Sequence, residues 1–200
     1  MQGLQIIVSG AGRLYVDGDS IDGTAPLVFT LTEVFSPAEC EAAIARAEQL
    51  GFDAAPINAA EGFVMRPDIR NNERAMFDDA ELAAELFTRV RDSLPRRLCG
   101  RRPAGVNERF RTYRYGPGQR FAPHYDGAFQ RSRRERSELT FMVYLNDGFT
   151  GGRTVFHDFE VDVAPRRGMG LLFQHEVLHE GCAVESGVKY VLRSDVMYAD

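Results

Sequence analysis

Hydrophobic and polar positions follow different patterns in the two halves of this chain. Before about residue 106, two stretches carry the signals of amphipathic helices. From residue 107 onward, short β-branched and aromatic runs alternate with turns that contain glycine and proline. Many short strands with frequent turns are typical of a sandwich or barrel rather than a βαβ sheet. The pattern therefore predicts helices first and a β-barrel second.

Local signals give the limits of the two helices. Ser-Pro-Ala-Glu at residues 36–39 combines an N-cap serine, a proline at the first helical position and a glutamate that can reach back to the cap. This helix should run to Leu50 and end at Gly51. The second helix is predicted from about Asp79 to Leu94, before Pro95. Its apolar face carries Leu82, Leu86, Val90 and Leu94.

Predicted strands occur on both sides of the helices. Residues 1 to about 35 are expected to form short strands and turns, with strands at 4–8 and 27–31. In the second half, the predicted strands are residues 110–115, 139–145, 153–156, 159–163, 170–173 and 190–198.

The size of the chain fits one domain. A chain of 200 residues with 44% hydrophobic residues buries roughly 70–75% of its unfolded surface. A second independent domain is not expected at this length. We predict a single domain, with supporting strands and helices in residues 1–106 and the β core in residues 107–200.

Charge and cysteine content limit the classes of partner. A net charge of −5 and a pI near 5.5 do not fit a nucleic-acid-binding surface, which needs concentrated basic charge. Three cysteines without a CxxC spacing indicate neither a disulfide framework nor a thiolate zinc site. No secretory signal and no apolar run of membrane-spanning length is evident. We expect a cytoplasmic protein without a membrane partner.

The candidate chemistry lies with the histidines. His124-Tyr125-Asp126 is an HxD triplet, and residues i and i+2 of an extended segment point to the same face. An isolated HxD is weak evidence. Two histidines and one carboxylate, however, form the facial triad of non-haem Fe(II) oxygenases, and His179 is the natural third ligand. We predict that His124, Asp126 and His179 bind Fe(II).

Two cations follow the third ligand along the chain. On an extended strand, Lys189, Val191 and Arg193 share a face, so positive charge would project into the barrel near the metal. A buried cation is costly unless it is paired. A dicarboxylate that chelates iron at one end would supply that pairing at the other. The competing interpretation is that Lys189 is an edge lysine that discourages strand association.

Three sequence blocks resemble those of a known family. RYGPGQRFAPHYD at residues 114–126, YLNDGFTGGRTVF at 144–156 and HEGCAVESGVKY at 179–190 are similar to the signature blocks of prolyl 4-hydroxylase-like 2-oxoglutarate/Fe(II) oxygenases. The resemblance covers about residues 107 to 200 and keeps the order and spacing of the blocks. One departure is Arg153, where that family commonly has an acidic residue.

The resemblance implies a fold and an activity. The fold is α+β and β-dominated, a double-stranded β-helix (jelly-roll) barrel with N-terminal helices packed on it. The activity is that of a 2-oxoglutarate-dependent dioxygenase, an oxidoreductase that hydroxylates a substrate carbon while 2-oxoglutarate and O2 become succinate and CO2. The substrate would be a small molecule or a peptide, with a prolyl residue or an amino-acid-like compound as the leading candidates. Ascorbate is a candidate reductant.

The resemblance also assigns roles to individual residues. His124, Asp126 and His179 would be the catalytic iron ligands. Lys189 would anchor the C5 carboxylate of 2-oxoglutarate. Tyr115 would be a second hydrogen-bond donor to this co-substrate, and Thr154 is a further candidate. Arg193 is a candidate for binding it because it shares a strand face with Lys189.

A zinc metallopeptidase is an alternative, because residues 175–179 match HExxH. That motif needs a helix, and Gly170 and Gly181 leave little room for one. Cys182 and Glu185 also stand where the extended form of the motif would have glycine and histidine.

A jelly-roll module that binds a ligand without catalysis is a second alternative, since a fold does not dictate its function.

Several polar residues remain open to two interpretations. His175 either lines the pocket or is a hydrogen-bonded structural residue, and we expect His157 to lie on the surface. The basic run at residues 131–136 is either a solvated loop or a lid over the site. The polar cluster at residues 70–74 either contacts substrate or is a solvated loop.

Overall fold

The structure is a computed structural model that describes residues 3–10, 14–16, 19–59 and 62–200. Parts of the predicted N-terminal strands and turns, namely residues 1–2, 11–13 and 17–18, lie outside the described residues. None of the described helices combines the length and apolar character needed to cross a membrane.

The first helix has the predicted limits. Helix α1 (Pro37–Leu50) begins with a capping box, in which the Ser36 hydroxyl accepts from the Glu39 amide and the Glu39 carboxylate accepts from the Ser36 amide. Gly51 follows it with a positive φ of 82°, a conformation that glycine adopts without steric cost. Local sequence alone therefore determines both ends of this helix.

The second helix is shorter than predicted. Helix α2 (Ala80–Val90) starts after the N-cap Asp79, whose side chain accepts from the Leu82 amide. The chain then tightens into a 3-10 turn (Arg91–Ser93) before Leu94 and Pro95. The predicted apolar face is correct, because Leu86, Val90 and Leu94 are buried in one core with α1.

The strands of the first half precede and separate these helices along the chain. They are β1 (Leu4–Val8), β2 (Leu14–Val16), β3 (Asp19–Ile21), β4 (Val28–Leu31), β5 (Asp53–Ala54), β6 (Ile57–Ala59), β7 (Gly62–Val64) and β8 (Glu73–Asp78). The strands predicted at 4–8 and 27–31 correspond to β1 and β4. Strand β8 was not predicted.

The second half is β-rich, as predicted. Its strands are β9 (Arg102–Val106), β10 (Arg109–Tyr115), β11 (Phe121–His124), β12 (Gln130–Ser132), β13 (Glu135–Tyr144), β14 (Thr150–Gly151), β15 (Thr154–Phe156), β16 (Val161–Val163), β17 (Gly170–Gln174), β18 (His179–Gly181), β19 (Val184–Ser186) and β20 (Lys189–Ala199). All six strands predicted here exist. The one predicted at 159–163 is shorter, because residues 157–159 form a 3-10 turn.

Two sheets build the framework of the site. The larger sheet has the order β1-β4-β17-β13-β20-β10-β8-β5, with β12 and β9 attached at its side. The smaller sheet has the order β11-β18-β15-β16. Their pairings are antiparallel, and no ladder joins the two sheets among the described residues. The barrel is therefore an open sandwich rather than a closed cylinder.

Side chains along the central strands alternate between a face that packs on the helices and a face that points to the smaller sheet. In β13, Leu139, Phe141 and Val143 pack with the helices on the outer face of the larger sheet. Tyr144 instead faces the smaller sheet, and the core between the sheets includes an edge-to-face contact of Phe156 with Phe173 at 5.3 Å. Because side chains alternate between faces, the helices pack on one face of the larger sheet while the other face carries polar groups.

That the chain forms a single domain stays a prediction.

The capping box gives a test of the local fold. Replacing Ser36 by Ala removes the side-chain acceptor for the Glu39 amide, so we expect a loss of about 1 kcal/mol in the free energy of unfolding. Urea denaturation measures it. Ser36→Asn keeps a capping oxygen and should stay close to the wild type. An equal loss in both variants would contradict the role assigned to the cap.

Candidate iron site

The three side chains predicted to bind iron lie together. One ligand atom from each of His124, Asp126 and His179 lies within 4.8 Å of those of the other two. Strands β11 and β18 bring the two histidines together, since His124 and His179 are direct partners in that ladder. Their ring centroids are 4.2 Å apart. A short extended segment then carries the chain from His124 to Asp126.

Backbone carbonyls orient both imidazoles. The Nδ1 atom of His124 lies 2.8 Å from the carbonyl of Ala122, and that of His179 lies 3.0 Å from the carbonyl of Val177. An Nδ1–H that donates to a carbonyl leaves Nε2 as the lone-pair donor. Both Nε2 atoms face Asp126, at 3.8 Å for His124 and 3.6 Å for His179. The two imidazoles thus present the tautomer that binds a metal.

Asp126 is buried and held on both sides. Its Oδ2 accepts from the Thr140 hydroxyl at 2.6 Å, and its Oδ1 lies 3.0 Å from the Arg193 guanidinium. The Asp126 amide donates to the carbonyl of His175 at 3.0 Å. These contacts fix the carboxylate beside the imidazoles, as groups around a metal ligand commonly do.

Burial and charge give each ligand the protonation state that a metal needs. Burial, together with the neighbouring His179, lowers the pKa of His124 to about 3, and burial also lowers the pKa of His179. Burial would raise the pKa of Asp126, but Arg193 and then the histidines outweigh it, so the net shift is downward. Neutral imidazoles and an ionised carboxylate are the forms that ligate divalent cations.

The HExxH segment is not a helix. Residues 175–176 form a turn, residues 177–178 are neither helix nor strand, and His179 begins strand β18. The zinc metallopeptidase interpretation is therefore wrong, because the motif places both histidines on one helical face. His175 is instead a buried structural residue, bonded to the Ser137 hydroxyl at 2.8 Å and the Thr140 hydroxyl at 3.0 Å. It supports Thr140, which in turn contacts Asp126.

Lys189 lies in the interior and is only 3% exposed. Its Nζ donates to the carbonyl of Gly152 at 2.5 Å and lies 5.2 Å from the ring centre of Tyr115. Among the described residues, no carboxylate lies within ion-pair distance of it. Burial lowers its pKa to about 8. The interpretation of Lys189 as an edge lysine is therefore wrong. Its buried ammonium has no anionic partner among the described residues, so it can pair with the carboxylate of a ligand.

The other predicted co-substrate residues lie around Lys189. Tyr115, Thr154, Lys189 and Arg193 line one small cavity together with the three triad residues. The Thr154 hydroxyl is hydrogen-bonded to the Tyr144 hydroxyl at 2.7 Å, and burial raises the pKa of Tyr115 to about 12. Tyr115 is therefore protonated and can donate. Arg193 differs from the other three, since its guanidinium is engaged by Asp126.

Gly152 provides the space that Lys189 occupies. Its φ is +61°, and a Cβ there would lie 3.1 Å from the Lys189 Cδ. A side chain at this position would therefore crowd the lysine and strain the backbone.

A cleft of about 690 Å³ opens beside the triad. Its wall includes Arg70, Arg74, Arg111, Tyr113, Arg193 and Asp195, and its rim includes the exposed Tyr125 and Phe129. The sequence did not single out Arg111, Tyr113 or Asp195. Arg111 and Tyr113 lie two residues apart on one face of β10, so alternation along that strand was the signal that could have identified them.

The two polar segments are ordered by specific contacts. At residues 70–74, Arg70 and Asn72 are buried and bonded to each other at 2.8 Å, and β8 begins at Glu73. The solvated-loop interpretation is therefore wrong for this segment. Residues 131–136 form a hairpin between β12 and β13, in which Arg131 pairs with Glu108 and Glu135. After Asp126 the cleft is lined by residues 127–129 and not by residues 131–136, of which 131–134 are exposed, so the solvated-loop interpretation fits and the lid interpretation does not.

His157 and Arg153 form surface contacts near the smaller sheet. His157 is exposed in a 3-10 turn, as predicted, and is bonded to Glu180 at 3.0 Å. Arg153, the departure from the family pattern, forms an ion pair with Asp162 on β16. Neither contact involves the triad.

Comparison with known proteins supports this picture. Residues 110–194 match the family model described as the 2OG-Fe(II) oxygenase superfamily. Prolyl 4-hydroxylase 1 of Arabidopsis thaliana is 25% identical over 193 residues, which cover 83% of this chain and 67% of the relative. Two further prolyl 4-hydroxylases match over 26% and 17% of their own lengths.

Solved structures confirm the fold. The viral collagen prolyl hydroxylase vCPH of Paramecium Bursaria Chlorella virus-1 has a TM-score of 0.63 at 23% identity, covering 87% of this chain and 97% of that one. A Trichoplax adhaerens prolyl hydroxylase in complex with a hypoxia inducible factor peptide has a TM-score of 0.63 at 20% identity, covering 86% and 83%. The chain has the predicted β-dominated, double-stranded β-helix fold with N-terminal helices.

The triad, the sequence match and the fold agree with one another. The matching family model implies Fe(II) as cofactor and 2-oxoglutarate as co-substrate, and the triad is a possible iron site. In sequence and in fold, the chain is similar to prolyl 4-hydroxylases, and its residues 110–194 match the model of the 2OG-Fe(II) oxygenase superfamily.

Proposed function

We propose that this enzyme hydroxylates a carbon of a prolyl residue in a peptide, or of an amino-acid-like small molecule. 2-Oxoglutarate and O2 become succinate and CO2 in the same reaction. The observation that carries the proposal is the His124, Asp126 and His179 cluster, with its ligand atoms within 4.8 Å of one another, in a cavity shared with the buried Lys189.

The donor set suits Fe(II). Two imidazoles and one carboxylate leave coordination positions open, which is the arrangement used by non-haem iron oxygenases. When bound, the iron and 2-oxoglutarate supply the oxidising power that inserts an oxygen atom of O2 into a C–H bond. His124 and His179 would ligate through Nε2, and Asp126 through its carboxylate.

Lys189 and Tyr115 would hold the co-substrate. The ammonium of Lys189 would pair with the C5 carboxylate in a charge-assisted hydrogen bond. Tyr115 would donate its phenolic proton, and the Thr154 hydroxyl would add a weaker contact. Arg193 would act differently, by holding Asp126 in place at 3.0 Å.

The cleft supports a substrate of peptide or amino-acid type. The viral neighbour is described as a collagen prolyl hydroxylase, and the Trichoplax enzyme was solved with a peptide. The cleft here is open and has exposed aromatic side chains, Tyr125 and Phe129, at its rim. Ascorbate as reductant and a cytoplasmic location are parts of the same proposal.

Removal of one ligand tests the iron site. For His179→Ala and Asp126→Ala we expect loss of substrate-stimulated succinate formation, because either change leaves only two protein ligands for the metal. Under anaerobic conditions, Fe(II) with 2-oxoglutarate should give a weak visible charge-transfer band in the wild type and not in these variants.

His157→Ala is the matched control, because His157 lies outside the triad and bonds to Glu180. It should keep both the band and the turnover. Full turnover in His179→Ala would contradict the ligand assignment, and a wild-type protein without the band would favour a non-catalytic binding module.

Removal of the anchor charge tests the role of Lys189. For Lys189→Met we expect the KM for 2-oxoglutarate to rise about 10- to 100-fold, since a hydrogen bond to a charged group contributes roughly 1.5–3 kcal/mol. Lys189→Arg keeps the charge and should recover part of the loss. An unchanged KM in Lys189→Met would place the anchor elsewhere.

The pKa of Lys189 gives a pH dependence with a definite sign. Burial lowers this pKa to about 8, and only the protonated ammonium pairs with a carboxylate. The KM for 2-oxoglutarate should therefore rise as the pH increases through about 8. Lys189→Arg should lack this rise, because a guanidinium stays charged. Initial rates between pH 6.5 and 9.5 measure the effect, and parallel profiles for both proteins would exclude Lys189 as its source.

A further inference from the structure

Positive charge is concentrated on the cleft wall beside the iron site. Four guanidinium groups line the cleft, and two carboxylates line it with them. The carboxylates are those of Asp126 and Asp195. The guanidinium groups belong to Arg70, Arg74, Arg111 and Arg193. The cleft wall therefore has an excess of positive charge in a protein whose net charge is −5.

Strand pairing brings two of these cations face to face. Arg111 on β10 and Arg193 on β20 are direct partners in their ladder. Like charges in this position repel each other. Arg193 forms ion pairs with both carboxylates of the cleft, since it lies 3.0 Å from Asp126 and 3.6 Å from Asp195. Arg111 lies 3.9 Å from Asp195, a weaker contact with the same carboxylate.

Arg70 has an unused hydrogen-bond donor. It is only 4% exposed, and its guanidinium lies 4.4 Å from the ring centres of both Tyr113 and Phe121. Its Nε donates to Asn72 at 2.8 Å, whereas its Nη2 is buried without a hydrogen-bond partner among the described residues. Buried donors are nearly always bonded. An unpaired one on the wall of a cleft indicates an acceptor that arrives with a ligand.

Arg74 belongs to the same cluster. It is paired across the β8–β10 ladder with Tyr113, and it lines the cleft beside Arg70 and Arg111. Burial lowers the pKa of Arg74, and the charges of Arg70 and Arg111 lower it further. Burial would raise the pKa of Tyr113, but the positive charges of Arg70, Arg193 and Arg111 outweigh it and lower this pKa to about 8. The positive charges of Arg70, Arg111 and Arg193 are therefore all close enough to shift the pKa of the same tyrosine.

We propose that the substrate carries a carboxylate, which the guanidinium groups of Arg70, Arg74 and Arg111 bind on the cleft wall next to the iron site. This inference rests on the proposed function, because it names the class of substrate for that reaction. A planar guanidinium matches a carboxylate with two parallel hydrogen bonds. The carboxylate is either the α-carboxylate of an amino acid or the side-chain carboxylate of an acidic residue near a proline.

Matched substrates separate these two sources. One pair is L-proline and L-prolinamide. The other is a blocked peptide with glutamate beside proline and the same peptide with glutamine. We expect kcat/KM for hydroxylation to be about tenfold or more higher for the carboxylate member of one pair, as for a bond to a charged group. The pair that shows it identifies the source, and added salt should reduce the difference.

Variants link the preference to the wall. Arg74→Gln and Arg111→Gln should each reduce the advantage of the carboxylate member by several-fold, because each removes one charge that only this member uses. Arg102→Gln is the matched control, since Arg102 is exposed on β9 and does not line the cleft. It should keep the full preference.

A binding measurement keeps this test separate from the test of catalysis. The same pairs are titrated calorimetrically into the protein loaded with Mn(II) and 2-oxoglutarate, which does not turn over. Tighter binding of one carboxylate member, lost in Arg74→Gln, supports the inference whether or not hydroxylation is seen. Equal binding, or no binding, of both members in both pairs overturns it. Failure of the proposed function would instead appear as no succinate and no charge-transfer band.

Discussion

The carboxylate of Asp126 is the point on which the site depends. It is buried, and it remains ionised because Arg193 and Thr140 contact its two oxygens. A buried charge without such partners would be costly and would take up a proton instead. The contacts come from β13 and β20, the two central strands of the larger sheet, whereas both imidazoles come from the smaller sheet. The ion pair therefore ties the two halves of the metal site to each other across the sandwich.

Much of this arrangement could be predicted from sequence. The ends of α1 depend on residues within one turn of the helix, and the periodicity of the β-rich half depends on neighbouring positions. The triad and Lys189 were found because their residue types and order resemble a known family. In each case, the deciding information is either local in the chain or carried by a conspicuous motif. The same is true of the alternation that places Lys189, Val191 and Arg193 on one face of β20.

Other features could not be predicted, since they depend on contacts between distant segments. The sequence of residues 70–74 is that of a polar loop, but Arg70 packs against Tyr113 and Phe121 and is buried. The HExxH segment has helical residue types, yet strand pairing on either side of it leaves only a turn. Alternation along β10 could place Arg111 and Tyr113 on one face, but only the pairing of β10 with β20 places that face beside Arg193 in the cleft. The choice between loop and lid for residues 131–136 likewise depended on distant contacts, because Arg131 pairs with Glu108 and Glu135 and the run lies outside the cleft.

The position of β11 has a consequence for metal exchange. This strand is the edge of the smaller sheet, it contains Pro123, and its ladder with β18 is irregular between Phe121 and His124. Edge strands with proline have fewer ladder hydrogen bonds and open more readily than central strands. Residues 69–71 cover the outer side of β11, however, since the Ala122 amide donates to the Ile69 carbonyl at 2.8 Å and Phe121 forms a bridge with Arg70. Release of a metal by His124 would therefore require residues 69–71 to separate from β11, so that metal exchange would depend on this contact as well as on the edge of the smaller sheet.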